Sequence, residues 1–290
     1  MEVRAIIMGV IFAFMWSSAF SSARIIVAYA PPLGTLSLRF LISGLIGILI
    51  AFSLGQNLKL TKEQWRSTII FGIFQNAVYL GLNFYALQWI EASLASIIAS
   101  SMPLMVALCG WVIFREKLNN FGTSGLFLGF FGVILIMGVR VEAGGNFPGI
   151  VFCILGAVGL TTATLMVRSA SSGENVMMII GLQMIIGSIC LGVVSLATET
   201  FEVAWNWSLI LAFTYTTFVP GLAATIIWFK LVNLIGAVKA SAFHFLNPFF
   251  GVIVAAIILE ERIRLIDFLG VVIIMLGILA VQLSKQKNQF

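Results

Sequence analysis

The chain has 290 residues, of which 61% are apolar and 9% charged, with a single histidine and a formal net charge of +5. A soluble domain carries about 25% charged residues, and a mean hydropathy of +1.11 leaves too little polar surface to cover a water-soluble globule. A soluble enzyme, a nucleic-acid-binding module and a disordered chain are excluded; the excess of positive charge is instead a marker of which membrane face it borders.

Crossing a bilayer takes roughly 20 apolar residues. Such runs are predicted near 5–28, 33–54, 67–89, 92–114, 122–140, 147–168, 175–197, 207–230, 237–259 and 265–284. Ten helices with short loops use nearly the whole chain, and continuous runs such as Val271–Val281 lack the alternation of a β-barrel. The expected fold class is all-α integral membrane. Arg4 and Ser21-Ser22-Ala23 give the first run some likeness to a signal peptide, but it is long for one, and the repetition described below needs it as helix one.

Helix one places Trp16 and Phe20 on one face, and helix two carries Arg39 inside the span. On helix three, Gly72, Gln75, Asn76, Tyr79, Asn83 and Ala86 fall within a sector of roughly 100°. That stripe is either interhelical hydrogen bonding or a cavity wall for polar groups of a solute. Helix four adds Ser93, Ser96 and Ser100, with Ser101 beside them, either as close-packing residues or as solute hydroxyls. Its Pro103 and the Pro248 of helix nine remove a helix hydrogen bond and free the carbonyls of Ala99 and His244. Those bends are expected against a cavity or another helix, where they can act as hinges.

Helix five carries Gly122, Gly125, Gly129 and Gly132, for close contact with helix ten or with a second copy. Thr217, Gly221, Ala224 and Trp228 share a face of helix eight, and His244 lies mid-span in helix nine near Ser241 and Asn247. Trp65, Trp89, Trp205 and Trp207 read as interface anchors, and Cys109, Cys153 and Cys190 as small packing residues. Every Asp and Glu maps to a loop or helix end, Glu116 and Glu261 each beside the start of the following helix. Without a mid-span carboxylate, a solute moves either down its gradient or with protons through His244.

Lys and Arg set the orientation. With the N-terminus cytoplasmic, that side holds Arg4, Lys59, Lys62, Arg66, Arg115, Lys117, Arg168, Lys230, Lys239, Lys285 and Lys287. The other side holds only Arg24, Arg140, Arg262 and Arg264, so both termini are expected inside.

Shifted by 145 residues, Phe84–Gly132 superimposes on Phe229–Gly277, aligning Pro103 with Pro248, Glu116 with Glu261, Gly125 with Gly270 and Gly132 with Gly277. A shift of 144 pairs Arg24 with Arg168 and Arg39 with Gln183. Five spans per copy is an odd number, so the second copy, 145–290, enters the membrane inverted relative to the first, 1–144. Pro103, Arg115-Glu116-Lys117-Leu118, Gly125 and Gly132 form one motif copy; Pro248, Glu260-Glu261-Arg262-Ile263, Gly270 and Gly277 form the other. With Trp16-Ser17-Ser18 and Arg39, the chain resembles the EamA-type drug/metabolite transporter superfamily over its whole length.

That resemblance implies a ten-helix carrier of two inverted five-helix repeats. Many members export amino acids or other small metabolites, among them aromatic amino acid exporters of the YddG type. The pairing of Arg39 with Gln183 departs from symmetry. The expected function is alternating-access transport of amino-acid-like or amphipathic aromatic solutes, as export across the plasma (bacterial inner) membrane, through a midplane site between the repeats. Trp16, Gln75, Asn76, Tyr79, Asn83, Ser96, Ser100, Trp228, Ser241 and His244 are the expected substrate-binding residues, with Pro103 and Pro248 as hinges. No catalytic residue, metal or cofactor is expected. The expected partners are a small-molecule solute and the lipid bilayer, not nucleic acid, and a monomer is favoured over a homodimer. The alternatives are a lipid-headgroup flippase, for which Arg39, Lys230 and Lys239 are the candidate cations, and a membrane-embedded lipid enzyme. One histidine, no mid-span acid and no long catalytic loop argue against the enzyme.

Overall fold

The computed structural model describes residues 3–116, 118–142, 146–166 and 175–287, without the side chains of 237, 238 and 285–287. Lys117, Arg168 and the side chains of Lys285 and Lys287, which entered the orientation argument, lie outside the described residues. Among the described residues ten helices are long and apolar enough to cross a membrane: α1 Val3–Val27, α2 Pro32–Ser53, α3 Lys62–Ala86, α4 Ala92–Val112, α5 Asn120–Glu142, α6 Phe147–Met166, α7 Val176–Thr198, α8 Trp207–Ile235, α9 Lys239–Ile258 and α10 Leu265–Ser284. No strand occurs among the described residues.

Two boundaries differ from the sequence expectation by five residues. α3 begins at Lys62 because Thr61 and Gln64 form a reciprocal capping box, with Gln64 N donating to Thr61 Oγ1 at 3.2 Å and Thr61 N to Gln64 Oε1 at 3.0 Å. Lys62 and Arg66 therefore stand on a helix rather than in a loop. α8 continues to Ile235, where Gly236 takes a φ of +81°, a conformation that favours glycine.

The chain divides into two compact units. The first comprises Met1–Ser21, Trp89–Ile150 and Ala223–Phe290; the second comprises Ser22–Gln88 and Val151–Leu222. In the first unit α5 lies along α10, and the two run in opposite directions. At one end Ser284 Oγ donates to Asn119 Oδ1 at 2.8 Å. At the other end Arg140 Nε and Nη2 donate to Asp267 at 3.3 and 2.9 Å, and Nη1 reaches Glu91. A Cβ on Gly277 would stand 2.5 Å from the Gly129 Cα, so only glycine permits this backbone approach. The glycine row of α5 thus meets α10 of its own chain, one of the two partners expected for it.

In the second unit α2 lies along α7, also antiparallel. Glu199, just after α7, accepts from Leu33 N at 2.9 Å and Gly34 N at 2.8 Å at the start of α2. Gln56, just after α2, accepts from Met178 N at 3.0 Å at the start of α7. In both pairs each helix packs on its own counterpart in the repeat, and in the α2–α7 pair each start is held by a side chain from beyond the other's end.

The same arrangement corrects the expectation for Glu261. It accepts from Ala92 N at 2.7 Å and Ser93 N at 3.0 Å, at the start of the counterpart helix α4 rather than of the following helix α10. A carboxylate there satisfies two of the four orphan N–H groups and contributes about 0.3–1 kcal/mol through the helix dipole. The preceding Glu260 takes a φ of +55°, and its repeat counterpart Arg115 a φ of +56°. The chain therefore makes the same left-handed turn before Glu116 and before Glu261.

Neither aligned proline lies in an unbroken helix. Pro103 sits in the first turn of a new segment after a turn at Ser101, and Pro248 in the first turn after a 3₁₀ stretch, Ala242–Leu246. Asn247 N donates to the His244 carbonyl. The acceptor that Pro248 frees is taken inside its own turn, not by a cavity or neighbouring helix as expected. Two wide π-helical segments, Phe71–Leu80 in α3 and Thr217–Ala223 in α8, occupy matching places in the two repeats and had no counterpart in the sequence reading.

Candidate solute site

In the first unit, apolar residues of α1, α8 and α9 pack together: Ala5, Leu231, Ala240 and Phe243 are buried, with Met8 and Leu246 against them. This core holds a cluster of rings. Phe12 and Trp16, four residues apart on α1, have centroids 5.7 Å apart. Phe12 lies 4.8 Å from Trp228 of α8 and 5.4 Å, edge-on, from His244 of α9. Trp228 and His244 are 5.1 Å apart. Phe12 is buried, whereas Trp16, Trp228 and His244 remain half-buried. Three of the expected site residues are thus brought together. Phe12 was missed, although the i, i+4 spacing to Trp16 was a legible sign that both share a face.

His244 Nδ1 lies 2.9 Å from Asn247 Nδ2. With the amide donating, Nδ1 is the acceptor and Nε2 carries the proton of a neutral ring. Asn247 Oδ1 is buried without a partner. A half-turn of the amide would offer that oxygen to a protonated Nδ1, so one side chain can serve both charge states of the imidazole.

Of the three expected hydroxyls of this unit, two have partners and Ser96 Oγ is buried without one. Ser241 Oγ donates to Gln282 Oε1 at 3.1 Å. Ser100 Oγ donates to the Ser96 carbonyl at 2.7 Å, and the Ser96 side chain fills the space beside Gly251 of α9.

The expected α3 stripe belongs to the second unit. Asn76 is buried and its Nδ2 donates to the Gln183 carbonyl of α7 at 2.9 Å. Asn83 Nδ2 donates to the Tyr79 carbonyl of its own helix at 2.8 Å, while Asn83 Oδ1 is buried without a partner. Tyr79 is 1% exposed. Gln75 is half-buried. Interhelical and intrahelical bonding therefore accounts for much of the stripe. Among the described residues no three His, Cys, Asp or Glu side chains gather into a group able to hold a metal, and the three cysteines are free thiols.

Ten apolar helices, with counterpart helices packed antiparallel, are the architecture of a membrane carrier. The EamA-like transporter family matches the chain over residues 3–138 and again over 147–283. The chain belongs to that family: it is an integral membrane protein and a transporter. It is 25% identical over 289 residues to the uncharacterized transporter YvbV of Bacillus subtilis, covering 99% of this chain and 94% of that one. It is 23% identical over 278 residues to the uncharacterized transporter YoaV of the same organism, covering 94% and 95%. An uncharacterized transporter of Archaeoglobus fulgidus is 24% identical over 272 residues, covering 91% and 93%. A solved crystal structure matches all of both chains with a TM-score of 0.69 at 19% identity, a likeness of fold alone.

Proposed function

We propose that this transporter exports small amphipathic solutes, aromatic or amino-acid-like, by alternating access, with the rings of Phe12, Trp16, Trp228 and His244 forming the surface on which the solute's apolar part rests. The observation that carries this reading is the half-buried Trp228 ring, 4.8 Å from Phe12 and 5.1 Å from His244. A further ring stacked on such a cluster gains about 0.5–1.5 kcal/mol per pair beyond its burial. Phe12 and Trp16 come from the first repeat and Trp228 and His244 from the second, which supports a site where the repeats meet. The segment joints at Pro103 and Pro248 serve as its hinges. The lysine and arginine bias supports a plasma-membrane protein with both termini inside.

A growth screen for metabolite resistance in overexpressing cells supplies the solutes, and efflux from proteoliposomes tests them. Trp228→Ala is expected to lower flux about tenfold, a loss of about 1.4 kcal/mol of binding; unchanged flux overturns the ring-cluster site. His244→Gln is expected to remove flux driven by a pH gradient and to spare solute exchange. Unchanged pH-driven flux eliminates proton coupling and leaves facilitated movement.

A further inference from the structure

Arg39 stands in the middle of α2 and is 4% exposed. Its Nε donates to the Thr216 carbonyl at 3.1 Å. Four residues on, Pro220 lacks the N–H that would meet this carbonyl in a regular helix. Ser43, one turn along α2, donates from Oγ to the next carbonyl, Thr217, at 3.3 Å. One N–H of the guanidinium therefore clamps the π-helical segment of α8.

The other four N–H groups, on Nη1 and Nη2, make no hydrogen bond among the described residues. No carboxylate pairs with them either, since both described ion pairs belong to Arg140. In the second unit Glu199 holds the start of α2, and Glu63 and Glu202 are exposed. A Cβ on Gly221 would stand 3.2 Å from Nη2, so any side chain at that position would crowd this end of the guanidinium. The Phe40 ring, 5.1 Å from Cζ, supplies a cation–π contact but no hydrogen-bond acceptor for these N–H groups. A buried cation without a counter-ion is costly inside a membrane.

We propose that the Nη1/Nη2 edge of Arg39 binds a carboxylate of the transported solute in a two-pronged hydrogen bond, which assigns the substrates to carboxylate-bearing metabolites. The planar fork matches a carboxylate in shape and number of donors. The single charge balances a carboxylate, whereas a phosphate monoester near −2 calls for further cations. This inference goes beyond the ring-cluster reading: it draws on different residues, in the second unit, and either can fail alone.

The test is thermal melting of the purified full chain in lipid nanodiscs, in methanesulfonate buffer. It is titrated with the twenty amino acids, acetate and phenylacetate, with the uncharged amides of the hits, and with inorganic phosphate. At least one carboxylate is expected to raise the melting temperature saturably, and its amide to lack the effect. Arg39→Gln should weaken the titration at least tenfold. Gly221→Ala, which keeps the charge and crowds Nη2, should weaken it several-fold and guards against misfolding of the first variant. Four results would overturn the proposal: no saturable carboxylate effect, equal action by the amide, equal action by phosphate, or an unchanged midpoint in both variants. A Trp228→Ala chain that still responds to the carboxylate but has lost flux would separate this site from the ring cluster.

Discussion

The contact of α2 with α8 and the contact of α7 with α3 occupy equivalent places in the two repeats, yet their chemistry is reversed. In the first, a long cationic donor on α2, Arg39, reaches the Thr216 carbonyl and faces the bare Gly221. In the second, a short neutral donor on α3, Asn76, reaches the Gln183 carbonyl and packs against Gly187. Arg39 aligns with Gln183, Ser43 with Gly187, and Asn76 with Gly221. Both contacts sit beside a π-helical segment. The shared backbone keeps a side-chain donor and a facing glycine in each contact but moves the donor to the opposite helix. A two-fold scaffold can thereby carry charge on one side only, as recognition of a solute without two-fold symmetry requires.

Three substitutions test this contrast in melting experiments on the purified chain. Gly187→Leu is expected to destabilise most, by about 3 kcal/mol, because its Cβ would lie 2.5 Å from the Asn76 Cβ, an overpacked core position. Arg39→Leu should cost about 1 kcal/mol: the Thr216 carbonyl loses its donor, but an uncompensated charge leaves the interior. Gln183→Leu should change stability by less than about 0.5 kcal/mol, because Asn76 bonds to the Gln183 backbone. Equal losses for Arg39→Leu and Gln183→Leu would break the contrast.

The spans were legible because each bilayer crossing writes a long apolar run, and the repeat because Pro103, Glu116 and the glycines of α5 recur in register. The π-helical segments were not, since Phe71–Leu80 and Thr217–Ala223 differ from ordinary apolar helix only in hydrogen-bond pattern. Glu261 was placed at its neighbour in sequence, whereas antiparallel packing delivers it to α4. Ring type and helical face made it legible that Trp16, Trp228 and His244 could share one cluster, which the ring contacts show. The α3 stripe left two readings open because a buried amide looks the same in sequence whether it faces a solute or, like Asn76, another helix's carbonyl. Arg39 stood out in sequence as an intramembrane cation, but its donor to Thr216 depends on the register of α2 against α8.

The crossed caps also set an order on biogenesis. Glu199 follows Leu33 by 166 residues, so the start of α2 emerges long before the side chain that closes it. At roughly 5–20 residues per second of synthesis, α2 waits about 8–33 s with those N–H groups open. During that interval the start of α2 lacks the carboxylate that meets those N–H groups in the folded chain.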